Sequence, residues 1–288
     1  MMILNENLTL NNGVKIPKLA LGTWQISNQQ VTDVVKMALQ MGYRHIDTAQ
    51  AYGNEAGVGK GVKNSGIKRE EIFVNSKVAA EIKNYAEAKK SIDDTLLKLD
   101  LDYLDMMIIH NPQPWVEVNQ STDRHYQGNL ETWGALEDAV KVGKLRAIGV
   151  SSFEAKDLQN LIDNSDTKPM VNQILCHIGA TPKDLIDFSQ NNGIIVESFS
   201  PVAHGAALNN PIIVKMAQKY HVSVAQLCIR YDWQLDTVVL PKATQLEHIK
   251  QNTEIDFTIT DEDMESLAQL SGLDYGSASH FPVFGGKL

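Results

Sequence analysis

The sequence predicts a closed (β/α)8 TIM barrel, preceded by a short N-terminal β-hairpin. Three observations carry that prediction. Eight short, continuously apolar runs alternate with segments of helical spacing, and unbroken apolar strands between helices belong to a parallel sheet. Eight such units within 288 residues match the size of one barrel. An open doubly wound sheet would carry a G-x-G-x-x-G turn after its first strand, and none is present. Residues 1–288 are therefore expected to form one domain.

The elements follow in order. Asn11-Asn12-Gly13 sits between two short runs at 8–16, and Asn-Gly is a strong hairpin signal. LALGTW (19–24) is the first barrel strand, followed by helical spacing from Val31 to Met41. HIDTA (45–49) is the second, with a helix over 54–64. EIFVNSKV (71–78) is the third, with a helix over 85–99. LDMMIIH (104–110) is the fourth, then a long polar loop over 111–128 and a helix over 130–142 ending at Gly143. Long loops inside compact domains are usually functional or disordered. AIGVSS (147–152), MVNQI (170–174), GIIVESFS (193–200) and TVVLPK (237–242) complete the strands. The intervening helices fall near 155–164, 182–191, 211–220 and 223–234, with Ser223 as an N-cap. Helical stretches near 245–251 and 260–270 and a Gly/Ser/Phe tail end the chain.

Composition excludes several function classes. The formal charge of −9 argues against a nucleic-acid binder. No apolar run is long enough for a membrane span, and the N-terminus lacks the pattern of a signal peptide. Cys176 and Cys228 make neither a disulfide framework nor a metal-ligand spacing, and both read as buried thiols. A cytoplasmic location follows, with no metal.

In a barrel, residues at the C-terminal ends of the strands converge on one face. Asp47, Lys77 and His110 end three consecutive strands, and Tyr52 lies just beyond the first of them. Each has an ordinary explanation alone: a turn, a solvated lysine, a rim aromatic. Together they suit proton donation to a carbonyl oxygen. A free phenol, with a pKa near ~10, is a weak acid at neutral pH. An ammonium at about 4 Å and an effective dielectric near 20 favours the phenolate by about 4 kcal/mol. Tyr52 is thus expected to be acidified by Lys77, with Asp47 holding Lys77 and His110 orienting the substrate oxygen.

At this point the chain resembles the aldo/keto reductase family, along nearly its whole length. GYRHIDTAQAYGNEAGVGKGV carries Asp47 and Tyr52 on the catalytic positions of the family's first signature. FVNSKV carries Lys77 and LDMMIIH carries His110 on two further catalytic positions. KLRAIGVSSF, VNQI and LPKATQLEHIKQN are similar to later signatures. Among branches, it is most similar to small bacterial members such as the 2,5-diketogluconate reductases.

The resemblance implies NADPH across the C-terminal face, with NADH use left open, and reduction of an aldehyde or ketone to an alcohol by hydride transfer. Tyr52 would donate the proton. Ser151, Ser152 and Gln173 would hold the carboxamide and Phe199 would stack on the nicotinamide. The loop from Ser200 through Pro201, Val202 and Gly205 to Leu208 would wrap the pyrophosphate. Lys242 would meet the 2′-phosphate and Asn252 the adenine. Gly22, Thr23, Trp24, Asp47, Ala243, Thr244 and His248 complete the implied cofactor set. Trp24, Tyr52, His110, Asn111 and Trp115 are the implied substrate contacts, with the tail at Phe281 as further apolar lining. The implied partner is a small carbonyl compound, and the implied state a monomer, with a weak dimer as the alternative.

Five positions depart from the family pattern. Ser152 stands where Asn is usual, and Phe199 where Tyr is common. Ala243 and His248 replace Ser and Arg beside Lys242, and neutral His lacks the planar fork of Arg. Asn111 replaces a Trp, which suggests a roomier, more polar pocket. GNEAGVGKGV imitates a phosphate loop but fails its spacing, with Gly61 at the hydroxyl position. Two rival functions stay open: a Schiff-base aldolase acting through Lys77, and an NADPH-binding sensor that turns over slowly.

Overall fold

The computed structural model describes residues 3–288. The hairpin forms as expected, with strands β1 (Asn7–Thr9) and β2 (Lys15–Pro17) antiparallel around the Asn-Asn-Gly turn. It caps the N-terminal end of the barrel: Asn11 and Asn12 donate side-chain hydrogen bonds to the carbonyls of Pro169 and Arg146, at 3.0 and 2.9 Å. Leu10 and Ile16 are buried beneath it.

Then come β3 (Leu21–Gly22), α1 (Asn28–Gln40), β4 (His45–Asp47), α2 (Glu55–Asn64), β5 (Phe73–Val78) and α3 (Tyr85–Leu99). They are followed by β6 (Leu104–Ile109), α4 (Tyr126–Lys141), β7 (Leu145–Ser151), α5 (Ala155–Asn164), β8 (Val171–Leu175) and α6 (Lys183–Asn191). The chain ends with β9 (Ile195–Phe199), α7 (Pro211–Lys219), α8 (Val224–Gln234), β10 (Val238–Leu240), α9 (Leu246–Gln251) and α10 (Asp261–Ala268). Strands β3 to β10 lie side by side in sequence order, each pair parallel. The ring closes through Ala20 N–H to Val239 O (2.9 Å), Val239 N–H to Lys18 O (2.9 Å) and Gly22 N–H to Pro241 O (3.0 Å). This is the expected barrel.

The first and last barrel strands are shorter than their apolar runs. Pro241 has no N–H, so the ladder ends at Leu240. Helix α4 starts at Tyr126, one turn before the apolar spacing begins. Its first turn is polar because Asn129 is used inward, donating to Pro112 O (3.0 Å) and Arg124 O (2.9 Å). The loop before α4 is tied down in the same way. Gln113 Nε2 donates to the carbonyls of Ser121 and Asp123 at 3.0 and 2.8 Å, and Arg124 pairs with Asp157.

The glycines of α2 have a packing purpose. A Cβ at Gly57 or Gly61 would strike backbone and side chains of α1, and one at Gly59 would strike the carbonyl of Leu99 at the end of α3. The phosphate-loop imitation is therefore a helix face ground flat for close packing. Among the described residues, no helix is long and apolar enough to cross a membrane, and no cluster could hold a metal.

Period-2 alternation decides what the barrel encloses. His45 and Asp47 share one face of β4, and Asn75 and Lys77 share one face of β5. Register aligns Asp47 with Asn75, and Gln173 with Glu197. All six side chains are buried, which gives the barrel a polar centre.

Candidate active site

A cleft of about 590 Å³ opens at the C-terminal ends of the strands. Its floor is Asp47, Tyr52, His110, Ser151 and Gln173; its walls include Trp24, Trp115, Phe199 and Lys242. The strand ends thus bring together all four side chains expected to do the chemistry.

Lys77 is fully buried at the centre. Its ammonium donates to both oxygens of Asp47 (2.6 and 2.7 Å), to Thr48 O (2.9 Å) and to the Tyr52 hydroxyl (3.3 Å). Asp47 is further fixed by Asn75 Nδ2 at 2.7 Å and Gln173 Nε2 at 3.0 Å. Burial opposes the charge on Lys77, but Asp47 and Tyr52 outweigh it and hold the ammonium above its usual range. A lysine with its lone pair committed to a proton and its donors engaged is a poor amine nucleophile, which tells against the aldolase.

Tyr52 corrects one expectation. Burial pushes its phenol above the usual range, and the opposing pull of Lys77 does not offset it. The nearby charge of Asp47 adds to the rise. The electrostatic argument from sequence counted the ammonium and left out desolvation, which here is larger. Tyr52 accordingly carries its proton throughout the neutral range.

His110 packs edge-to-face between Tyr52 and Trp115, with ring centroids 5.7 and 5.1 Å away. Burial, then Lys77, holds it well below the usual imidazole range, so it is neutral. Its Nδ1 is buried without a partner. A proton there would be an unbonded buried donor, so the proton belongs on Nε2, the ring nitrogen open to the cleft. The site therefore offers two adjacent donors, a phenol and an imidazole N–H, to one carbonyl oxygen.

A family model described as the aldo/keto reductase family matches residues 18–271. The chain belongs to the aldo/keto reductase family. Glyoxal reductase of Bacillus subtilis (strain 168) is 40% identical to it over 270 residues, covering 93% of this chain and 94% of the relative. Methylglyoxal reductase DkgA of Escherichia coli (strain K12) is 36% identical over 274 residues, covering 93% and 94%. An aldo/keto reductase from Brucella melitensis has a similar solved structure, with a TM-score of 0.85 at 37% identity over 92% of this chain and 99% of that one. A Bombyx mori aldo-keto reductase solved in complex with NADP gives 0.84 at 31% identity, over 97% and 98%. The protein is an NAD(P)H-dependent oxidoreductase that reduces carbonyl groups.

This aldo/keto reductase places most of the expected cofactor residues on the cleft. Gly22, Trp24, Ser151, Ser152, Gln173, Phe199, Ser200, Pro201, Val202 and Lys242 line it. The others lie outside its lining. Gly205 and Leu208 are in the short helical turn over 203–209, and Thr244 precedes α9. His248 is on α9 and Asn252 is its C-cap; Tyr43 donates from the core to Ile249 O at 3.0 Å and fixes that helix. Ala243 is buried, and Thr23 is buried with its hydroxyl donating to Asp47 O at 2.9 Å, a bond internal to the barrel.

In the loop after β9, Ser200, Ala203, His204 and Gly205 have left-handed φ (57, 52, 52 and 97°), and the N–H groups of Ala203 and Gly205 are held within the loop by Ser200 O and Val202 O at 2.8 and 2.9 Å. Lys242 is exposed and pairs with no carboxylate among the described residues. An exposed cation on the cleft wall with no carboxylate partner among the described residues fits a phosphate of the dinucleotide.

Asn111 does not line the pocket. It is buried in the loop after β6, where its Oδ1 accepts from Gln113 N–H at 3.0 Å, and it is absent from the cleft lining. The lining residues that sequence reasoning missed include Gln25, Ala51, His204, Leu240 and Leu288. The tail residues Phe281, Pro282 and Val283 complete the roof, of which only Phe281 was anticipated. His204 and Phe281 pack on Trp24 at 5.5 and 5.0 Å, and Asn119 Nδ2 binds Pro282 O and Gly286 O at 2.8 and 2.9 Å. No periodicity marks such a cover.

Ser152 has φ +59°, a conformation Asn tolerates better than other residues with a side chain. Ser152→Asn is expected to raise stability by up to about 1 kcal/mol. Urea melts of the two proteins check it; a destabilised variant would contradict it.

Proposed function

We propose that the cleft binds NADPH in preference to NADH and that Tyr52 protonates the oxygen of a small aldehyde or α-dicarbonyl while its carbon is reduced. What supports this most is the Lys77 ammonium, bonded at once to Asp47 and to the Tyr52 hydroxyl on the cleft floor. Bound NADPH would supply the hydride; Gln173, Ser151 and Ser152 would hold its carboxamide, Phe199 its ring face, and Lys242 its 2′-phosphate.

The chain's own residues then do the following. His110 donates from Nε2 to the carbonyl oxygen and fixes its place. Tyr52 gives up its proton to that oxygen. Lys77 stabilises the phenolate left behind, and Asp47 keeps Lys77 charged and in position. Trp24, Trp115 and Phe281 exclude water from the reacting carbon. The substrate class rests on those three aromatics, which narrow the cleft, and on the glyoxal and methylglyoxal reductases among the relatives.

Single-domain organisation, a monomeric state and a cytoplasmic location are part of the same proposal. The two buried free thiols suit a reducing compartment, and the acidic surface suits a protein that does not bind nucleic acid. Lys242→Ala tests the cofactor assignment. It is expected to weaken NADPH by roughly tenfold or more, the usual worth of a charge-assisted bond, and NADH little. Fluorescence titration with both cofactors measures this, and equal losses would remove Lys242 from the role.

A further inference from the structure

Beneath the catalytic floor lies a second polar layer that the reaction does not use directly. Glu197 on β9 and His45 on β4 are both fully buried. Glu197 Oε2 accepts from Gln173 Nε2 at 2.9 Å. Glu197 Oε1 has no hydrogen-bond partner, nor does His45 Nε2, and these two atoms face each other at 3.7 Å. The other imidazole nitrogen, Nδ1, lies 3.2 Å from Pro17 O, an acceptor only, so it carries the ring's proton. His45 Nε2 is then a lone pair aimed at a carboxyl oxygen. At 3.7 Å the contact is longer than a hydrogen bond, but a proton on Glu197 Oε1 makes it a donor facing an acceptor; without that proton, two acceptors confront each other in the core.

We propose that Glu197 holds a buried proton directed at His45, and that Glu197 in this neutral form is a positioning residue for Gln173. Both Nε2 hydrogens of Gln173 are consumed, one by Glu197 and one by Asp47 (3.0 Å). Its Oε1 is left as the group presented to the cleft, an acceptor matched to the N–H of a primary carboxamide. Neutrality also protects the layer above. Asp47 and Lys77 form a balanced pair, and a second carboxylate beside Asp47 would leave a net charge in the barrel centre. The charges facing Glu197 agree. Burial and then Asp47 push its carboxyl up to about 8, with Gln173 and Lys77 opposing. His45 is pulled down to about 4 by burial and Lys77, against Pro17, Asp47 and Asp105. The proton is therefore mainly on the carboxyl.

The function assigned to Gln173 rests on the NADPH reading; the buried proton on Glu197 does not. Two measurements separate them. The infrared spectrum of the wild-type protein at neutral pH, without cofactor, is expected to show a protonated-carboxyl stretch that Glu197→Gln removes and that fades as pH rises through about 8. The amide of Glu197→Gln can donate to His45 and accept from Gln173, so its NADPH dissociation constant should stay within about twofold of wild type. Glu197→Leu loses the Gln173 bond and the His45 contact and is expected to bind NADPH at least about fivefold more weakly. No carboxyl band, or a Glu197→Gln protein as weakened as Glu197→Leu, overturns the proposal. Should Glu197→Leu fail to fold, the infrared comparison and the Glu197→Gln affinity decide alone. A wild-type protein that shows the band and binds no NADPH would instead count against the cofactor reading.

Discussion

Tyr52→Phe is expected to lower carbonyl turnover by roughly 10²–10⁴-fold, the range attributed to a positioned proton donor. The substitution removes one oxygen. It leaves the ring that packs on His110 and lies over Lys77, at 5.7 and 4.9 Å. NADPH affinity should therefore hold within about twofold, and the loss should fall on kcat. The pH profile adds a second check. The phenol is held above its ordinary range chiefly by burial, so the donor remains protonated through neutral pH. Wild-type reduction should show no loss from Tyr52 ionisation between about pH 6 and 9. Near-wild-type turnover by Tyr52→Phe would assign the proton to another group.

Lys77→Met has the second large effect, and it falls on stability as well as activity. Lys77 is buried with all its donors engaged, and it is the cation that balances the buried Asp47. Breaking a buried pair by removing one partner costs about 3–5 kcal/mol, because the remaining charge is left without compensation. Denaturant melts should show that loss near neutral pH. Lys77→Met with wild-type stability would mean that Asn75 and Gln173 alone suffice to hold the Asp47 charge.

Much of this was legible in the sequence because it rests on spacing. Continuous apolar strands between helices announced a parallel barrel, and Asn11-Asn12-Gly13 announced its hairpin. Asp47, Lys77 and His110 could be placed together because strand ends in a barrel share one face. What escaped depends on tertiary packing. The first turn of α4 is polar because Asn129 points inward to tie a loop, so periodicity placed the helix start late. Asn111 was read as a pocket residue, yet a turn bond to Gln113 draws it away. The phenol of Tyr52 was expected to be acidified because a neighbouring charge can be read from sequence, whereas the depth of burial cannot. His204 and most of the tail that roofs the cleft have no pattern to announce them; Trp24 and Asn119 gather them from distant parts of the chain.

Consumption of NADPH by the purified protein, followed optically against a panel of simple aldehydes, ketones and α-dicarbonyls, tests the central claim most directly. The site described here predicts steady oxidation with aldehydes and dicarbonyls, slower oxidation when NADH replaces NADPH, and almost none with Tyr52→Phe. NADPH that binds tightly and is oxidised by no carbonyl compound would contradict it, and would make the cleft a cofactor-sensing site.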